Sequence, residues 1–129
     1  IGRRTSHHVS ITSSIPPTPL MAYVNAPLFE WVVENLCKNA VDAMQGKGSL
    51  HISAARDGDI TAIEVRDTGC GIPQGRYESV FSPGYTTKKR GWGLGLSLAR
   101  RIIQEYHKGR IYVKSSELGV GTTFRIEIK

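Results

Sequence analysis

Residues 49–67 constrain the fold more than any other part of the chain. They read SLHISAARDGDITAIEVRD, two runs joined at Asp57-Gly58, a dipeptide favoured in tight hairpin turns. Apolar side chains recur at every second position in both runs, which is the period of a strand with one buried face. These apolar positions are Leu50, Ile52, Ala54, Ile63 and Val65. The pattern predicts an antiparallel hairpin that turns one face toward a core.

A long helix is predicted before the hairpin. Pro27 suits a first helical turn, Asn25 or Ala26 would be the cap, and Gly46 and Gly48 lie beyond the end. Its apolar residues recur at helical spacing and form one face: Leu28, Phe29, Val32, Val33, Leu36, Ala40 and Met44. The helix is therefore expected to pack this face on the sheet.

A second helix is expected from about Gly93 to His107. Its predicted core stripe is Leu98, Ala99, Ile102, Ile103 and Tyr106. Its predicted water-facing residues are Arg100, Arg101, Gln104 and Glu105. Further strands are expected at residues 9–15 and 20–25, and at RIYVKSS and GTTFRIEIK near the end of the sequence. Together these elements predict an α+β fold, a two-layer α/β sandwich in which helices cover one face of a mixed β-sheet.

The length and the net charge of the chain limit the functions that it can have. The 129 residues are expected to form one domain, 1–129, with no membrane-spanning run. The net charge of +6 would permit nucleic-acid binding, but the basic residues are scattered and no aromatic residues alternate with them, so we predict no nucleic-acid partner. The two cysteines are expected to be reduced thiols.

A polar pattern overlies the first helix. Asn35, Asn39 and Asp42 are spaced by four and three residues, which places all three on one face. Asparagine is a poor helix former, so two of them on one face suggest a function, and an amide oxygen suits Mg²⁺ that keeps waters and phosphate oxygens. A solvated polar face is the alternative.

Two glycine-rich stretches and a basic stretch between them are further candidates for a site. DTGCGIP follows the second hairpin strand directly, and GWGLGLS opens the second helix, where free backbone N–H groups favour phosphate. Between them, TTKKRG offers two hydroxyls and three cations. Taken singly, these stretches are equally well explained as a connector and an exposed basic loop.

Taken in order, ENLCKNAVDA, DTGCGIP, VFSPGYTTKK and GWGLGLS resemble the motifs of the ATP-binding domain shared by sensor histidine kinases, gyrase, the heat-shock ninety chaperone and the MutL mismatch-repair proteins, the Bergerat fold. By this resemblance they are its asparagine box, first glycine box, phenylalanine box with lid, and second glycine box. The resemblance covers residues 9–129 and is greatest to the histidine kinase catalytic domain. It implies that Asn39 holds Mg²⁺ and that Asn35 stands where ATP-hydrolysing relatives have a glutamate base. An amide cannot act as that base, so ATP would be hydrolysed poorly.

The resemblance also implies the remaining site residues. Asp67 would accept a hydrogen bond from the adenine amine, Gly69 and Gly71 would keep the pocket wall free of side chains, and Thr122 would support Asp67. Lys88 would meet the terminal phosphate as a catalytic cation. The other residues assigned to ATP are Thr86, Thr87, Gly91, Gly93, Leu94 and Gly95. Trp92, Gly84 and Asp42 depart from the family pattern, which leaves the nucleotide affinity open.

The sequence is thus interpreted as the catalytic domain of a two-component sensor histidine kinase, an enzyme that is incomplete without its acceptor histidine. The expected ligands are ATP or ADP with Mg²⁺, and the expected partners are the dimerisation and phosphotransfer domain of the parent and a response regulator. Residues 1–8 would end a linker, the domain would be monomeric and the parent homodimeric. The domain would be cytoplasmic, with a parent that is membrane-anchored or free. A protein serine kinase of the anti-sigma type, a self-contained ATPase and a degenerate binding module remain alternatives.

Overall fold

The computed structural model describes residues 8–14, 26–82 and 95–128. The helices are α1 at Ala26–Ala43 and α2 at Gly95–Arg101. The strands are β1 at His8–Ser14, β2 at Lys47–Asp57, β3 at Ile60–Asp67, β4 at Arg110–Glu117 and β5 at Gly121–Ile128. The strand predicted at residues 20–25 lies outside the described residues.

The described strands form one mixed sheet in the order β1-β2-β3-β5-β4. β1 runs parallel to β2, whereas every other neighbouring pair is antiparallel. The predicted hairpin is confirmed, because β2 and β3 pair from Asp57↔Ile60 to Leu50↔Asp67 around the Asp57-Gly58 turn. The mixed two-layer architecture predicted from the sequence is also confirmed.

The core lies between one face of the sheet and the helices. Val32, Leu36 and Ala40 of α1 are buried, as is Met44 directly after the helix. They meet buried sheet residues, namely Leu50, Val65, Ile111, Val113, Phe124, Ile126 and Ile128. Of the alternating positions predicted in the hairpin, Leu50 and Val65 are buried, Ile52 and Ile63 are partly buried against the core, and Ala54 is half-buried outside it. Since the hydrophobic effect scales with apolar area removed from water, this interface holds the two layers together.

The second helix departs from the prediction in its final turns. The α-helical hydrogen bonding ends at Arg101, and Ile102–Tyr106 continues as a π-helical turn. The wider turn inserts an extra residue before the next core position, so His107 is buried where Tyr106 was expected. Tyr106 is instead 65% exposed. Its placement in the core stripe was wrong.

Two other residues of this helix also differ from expectation. Leu98, predicted in the core, is 41% exposed. Arg100, predicted to face water, folds back so that its side chain is only 23% exposed and pairs with Glu78. His107, which the sequence placed at the end of the helix, donates its Nδ1–H to the Ile102 carbonyl at 3.1 Å, and its ring meets Phe29 edge-on.

The second face of the sheet carries no described helix and is strongly polar. Its charges form a network in which Glu64 binds Lys114 and Arg125, each at 2.8 Å. Glu127 binds Arg125 at 2.7 Å and Arg110 at 3.3 Å. This face is therefore held by ion pairs across strands rather than by apolar packing.

None of the helices in the described part of the chain is long and apolar enough to cross a membrane. Cys37 is half-buried, Cys70 is exposed, and both are free thiols.

Candidate functional site

The centre of the candidate site is Asp67, the last residue of β3. Its side chain is 4% exposed, and its Oδ1 accepts the Gly69 N–H at 2.8 Å. Burial raises the pKa of this carboxyl above its ordinary value, while hydrogen bonds from the backbone N–H groups of Gly69 and Thr122 partly offset the rise. A buried carboxylate with free acceptor capacity suits a ligand that offers an N–H donor.

Thr122 lies directly opposite Asp67 in the β3–β5 pairing and is buried. Its hydroxyl contacts the Ser116 hydroxyl at 2.7 Å. The Ser116 oxygen also accepts the Ile72 N–H at 2.7 Å, and its hydroxyl lies 3.0 Å from the Gly121 carbonyl. Ser116 thereby ties the glycine loop after β3 to the β4–β5 hairpin.

Sequence reasoning missed Ser116 and Tyr77, whose hydroxyl donates to the Ser116 carbonyl at 2.9 Å. Ser116 lies far from Asp67 along the chain, and Tyr77 is separated from Ser116 by 39 positions. No motif marks a serine near the end of β4, so only the pairing of β4 with β5 reveals its position.

The two glycines after Asp67 have a packing reason beyond the one the sequence suggested. A Cβ on Gly69 would lie 2.8 Å from the Ala43 backbone, at the end of α1. Gly71 adopts φ +83°, and a Cβ there would lie 2.4 Å from the Glu117 carbonyl oxygen. These glycines therefore let the loop sit against α1 and the β4–β5 turn. Their role along an adenine pocket stays a prediction.

The asparagines of α1 occupy different environments. Asn35 is 7% exposed and its Nδ2 has no hydrogen-bond partner within the described ranges. It packs against Gly95, where a Cβ would lie 2.9 Å from that Nδ2. Asn39 and Asp42, one and two turns further on, are half-buried. The predicted polar face therefore exists, with Asn35 at its buried end.

A cluster of side chains joins α2 to the 3₁₀ turn at Ser79–Phe81. Arg100 donates to both carboxylate oxygens of Glu78, at 2.8 and 3.1 Å. Its guanidinium also lies 4.2 Å from the centre of the Phe81 ring. Phe81 is the phenylalanine of the predicted VFSPGYTTKK box, so this cluster fixes the start of that box to the helix.

Part of the predicted phosphate site lies outside the described residues. This holds for the catalytic Lys88 and for Thr86, Thr87, Gly91, Gly93 and Leu94, as well as for Trp92. Of the predicted site residues, the structure brings together Asp67, Gly69, Gly71 and Thr122, and separately Asn35 and Gly95.

The donor set for a metal is sparse. No cluster of three or more His, Cys, Asp or Glu side chains occurs among residues 8–14, 26–82 and 95–128. Asn39 supplies a single neutral oxygen, a donor set that fits Mg²⁺ bound mainly through water and phosphate oxygens. It would not fit a metal that needs several protein ligands.

Comparisons with known proteins agree with this arrangement. A family model described as histidine kinase-, DNA gyrase B- and HSP90-like ATPase matches residues 25–129. Sporulation kinase E of Bacillus subtilis is 36% identical over 121 residues, which make up 93% of this chain. The catalytic domain of histidine kinase ThkA has a TM-score of 0.82 and 30% identity, covering 93% of this chain and 78% of that one.

A second structure of ThkA, in complex with the response regulator protein TrrA, has a TM-score of 0.79 and 28% identity, covering 93% of this chain and 34% of that one. The fold and the site together define an ATPase-type nucleotide-binding domain. The chain belongs to the histidine kinase-, DNA gyrase B- and HSP90-like ATPase family. It spans 16% of the length of sporulation kinase E.

Proposed function

We propose that this chain is the catalytic domain of a two-component sensor histidine kinase that binds Mg·ATP and passes the γ-phosphoryl group to a histidine outside the chain. The observation that carries the proposal is the buried Asp67, held by backbone N–H groups of Gly69 and Thr122 at the end of β3. Its free acceptor capacity suits the exocyclic amine of adenine. The named relatives are kinases, which supports the same reading.

In this proposal the chain positions the nucleotide and neutralises its phosphate charge, and forms no covalent bond to the transferred group. Asn39 offers an amide oxygen to Mg²⁺, which would neutralise phosphate charge when bound. Lys88 contributes a point charge for the terminal phosphate, and Thr86, Thr87, Gly91, Gly93 and Leu94 contact the nucleotide in this proposal. Positioning and electrostatic stabilisation are the main demands of phosphoryl transfer.

Asn35 supports transfer to a protein acceptor over hydrolysis. Its amide cannot take a proton from water at neutral pH. Its burial against Gly95 further separates it from solvent. The terminal phosphoryl would therefore be kept for the acceptor histidine.

The proposed partners are the dimerisation and phosphotransfer domain of a homodimeric parent, joined through a linker at residues 1–8, and a response regulator. The complex of ThkA with TrrA supports the second of these by similarity. The domain would be monomeric and cytoplasmic.

Isothermal titration calorimetry of the chain with Mg·ADP tests this function. We expect measurable binding by the wild type and a loss of about tenfold or more in affinity for Asp67→Ala, because a hydrogen bond to a charged group contributes roughly 1.5–3 kcal/mol. Asp59→Ala is the matched control, since Asp59 is exposed in the β2–β3 turn. It should bind like the wild type.

No binding by the wild type would overturn the nucleotide-binding function. Equal affinity of wild type and Asp67→Ala would move the adenine site away from Asp67.

A further inference from the structure

The open face of the sheet contains a cavity of about 370 Å³. Its lining includes His51, Ser53, Arg66, Lys114, Ser115 and Thr123. Successive residues of a strand point to opposite faces, so Arg66 faces away from its neighbour Asp67. The cavity is therefore separated from the candidate nucleotide site by the thickness of the sheet.

The one carboxylate in the cavity wall is already neutralised. Glu64 accepts hydrogen bonds from Lys114 and Arg125, each at 2.8 Å. Burial alone would raise the pKa of Glu64, but these two cations outweigh it and hold the pKa below its ordinary value. Glu64 thus stays ionised and committed to its partners at neutral pH.

Arg66 has no such partner. Within the part of the chain that the structure describes, it makes no ion pair or side-chain hydrogen bond, although it lies in β3 directly between His51 on one side and Thr123 on the other. With Lys114 it gives the cavity wall two cations against one carboxylate. An exposed guanidinium beside hydroxyl groups has all of its donors available for an anion.

We propose that this cavity is a second ligand site, which binds the phosphate group of a small molecule. The forked donors of Arg66 match two phosphate oxygens, and the hydroxyls of Ser53, Ser115 and Thr123 supply further donors around a tetrahedral group. A volume of about 370 Å³ leaves room for an organic remainder, since sites for small molecules begin at roughly 300 Å³. Glu64 repels a bound phosphate little, because Lys114 and Arg125 compensate its negative charge.

An NMR titration of the chain with inorganic phosphate tests the proposal at constant ionic strength. We expect saturable shifts of the backbone amides of His51, Arg66 and Thr123, at millimolar concentrations appropriate to a fragment of the full ligand. Arg66→Ala should weaken binding by about tenfold or more, the usual loss for a charged hydrogen bond. Arg101→Ala is the control, because it removes the same charge from an exposed position on α2 and should change affinity less than twofold.

The residue-specific readout separates this site from the nucleotide site. Shifts confined to residues near Asp67 and Gly95 would overturn the second site and leave the proposed function intact. Equal weakening of phosphate binding by Arg66→Ala and Arg101→Ala would show that only the overall charge matters. That result would also overturn the second site. A titration with glycerol phosphate then shows whether the organic remainder adds affinity, and weaker binding than inorganic phosphate would contradict a site for a phosphorylated small molecule.

Discussion

The absence of a side chain at Gly95 leaves room for the amide of Asn35. The sequence suggested that Gly95 lets a phosphate approach the helix start. The structure adds that the space beside its Cα is taken by the Asn35 amide. Both residues belong to the predicted motifs, and their contact couples the asparagine helix to the second glycine box.

Gly95→Ala should destabilise the domain. The new Cβ would lie 2.9 Å from Asn35 Nδ2 in a buried site, and overpacking of this kind costs about 1–3 kcal/mol, which exceeds the helix-propensity gain of up to about 1 kcal/mol. Urea denaturation should show a net loss of about 1–2 kcal/mol. In Asn35→Ala/Gly95→Ala the loss should be smaller than the sum of the single changes.

Gly75→Ala is the matched control for this experiment, since a Cβ there meets no atom within 4 Å. Additive effects of Asn35→Ala and Gly95→Ala would contradict the contact.

Ser116 carries a second prediction at this scale. Ser116→Ala removes the acceptor of the Ile72 N–H and the partner of the Thr122 hydroxyl. A buried donor left without a partner costs about 1–3 kcal/mol, and the Ile72 N–H is part-buried, so the free energy of unfolding should fall by about 1 kcal/mol in urea denaturation. Ser115→Ala, an exposed neighbour on the opposite face, should change it by less than about 0.5 kcal/mol. Equal effects of the two variants would contradict the bridging role of Ser116.

Among the elements, the second helix was the least predictable. Helical periodicity placed Tyr106 in the core, because a constant 3.6-residue turn was assumed from Gly93 to His107. The π-helical turn at Ile102–Tyr106 shifts the pattern by one residue, and neither Pro nor Gly marks it within that segment. By contrast, α1 and the β2–β3 hairpin follow their periodicities closely, since each buries one continuous apolar face.

The contact between α2 and the 3₁₀ turn at Ser79–Phe81 has opposing energetic terms. The Arg100–Glu78 pair is worth little because Glu78 is 79% exposed, and the stacking on Phe81 adds about 0.5–1 kcal/mol. Against these, Arg100 Nε is buried without a partner in the described ranges, which costs about 1–3 kcal/mol. The charge of Arg100 therefore contributes little net stability, and its packing contributes more.

We accordingly expect Arg100→Met to keep the packing on Phe81. Its free energy of unfolding, measured by urea denaturation, should lie within about 1 kcal/mol of the wild-type value. Arg100→Ala should lose about 1–2 kcal/mol, because it removes the packing as well. Equal losses for Arg100→Met and Arg100→Ala would show that the charge, rather than the packing, dominates.

For the whole molecule, the sequence predicted the layers and the β2–β3 pairing but not the other pairings or the order of the strands. The insertion of β5 between β3 and β4 places Thr122 opposite Asp67, and it depends on contacts between residues far apart in the chain. The motif resemblance placed Thr122 beside Asp67, whereas the periodicities did not. The lid residues, including Lys88, lie outside the described ranges and stay predictions.

Asp67 on the one hand, and Glu64 and Glu127 on the other, change the stability of the domain with pH in opposite directions. Hydrogen bonds and ion pairs lower the pKa values of Glu64 and Glu127 against the opposing effect of burial. Their stabilisation is therefore present above the ordinary value of 4.5 and is lost as pH falls through the lowered pKa values. Burial raises the pKa of Asp67, so its contribution is fully present below 3.8 and is lost as pH rises through the raised pKa.

Asp67→Asn isolates the second effect, because asparagine does not ionise while Glu64 and Glu127 act equally in both proteins. We expect the free energy of unfolding of the variant, relative to the wild type, to increase between about pH 3.5 and pH 7, measured by urea denaturation at each pH. Saturating Mg·ADP should alter this slope for the wild type, since an adenine N–H donor favours the ionised carboxylate. A difference that is independent of pH would show that Asp67 ionises as easily in the folded domain as in the unfolded chain.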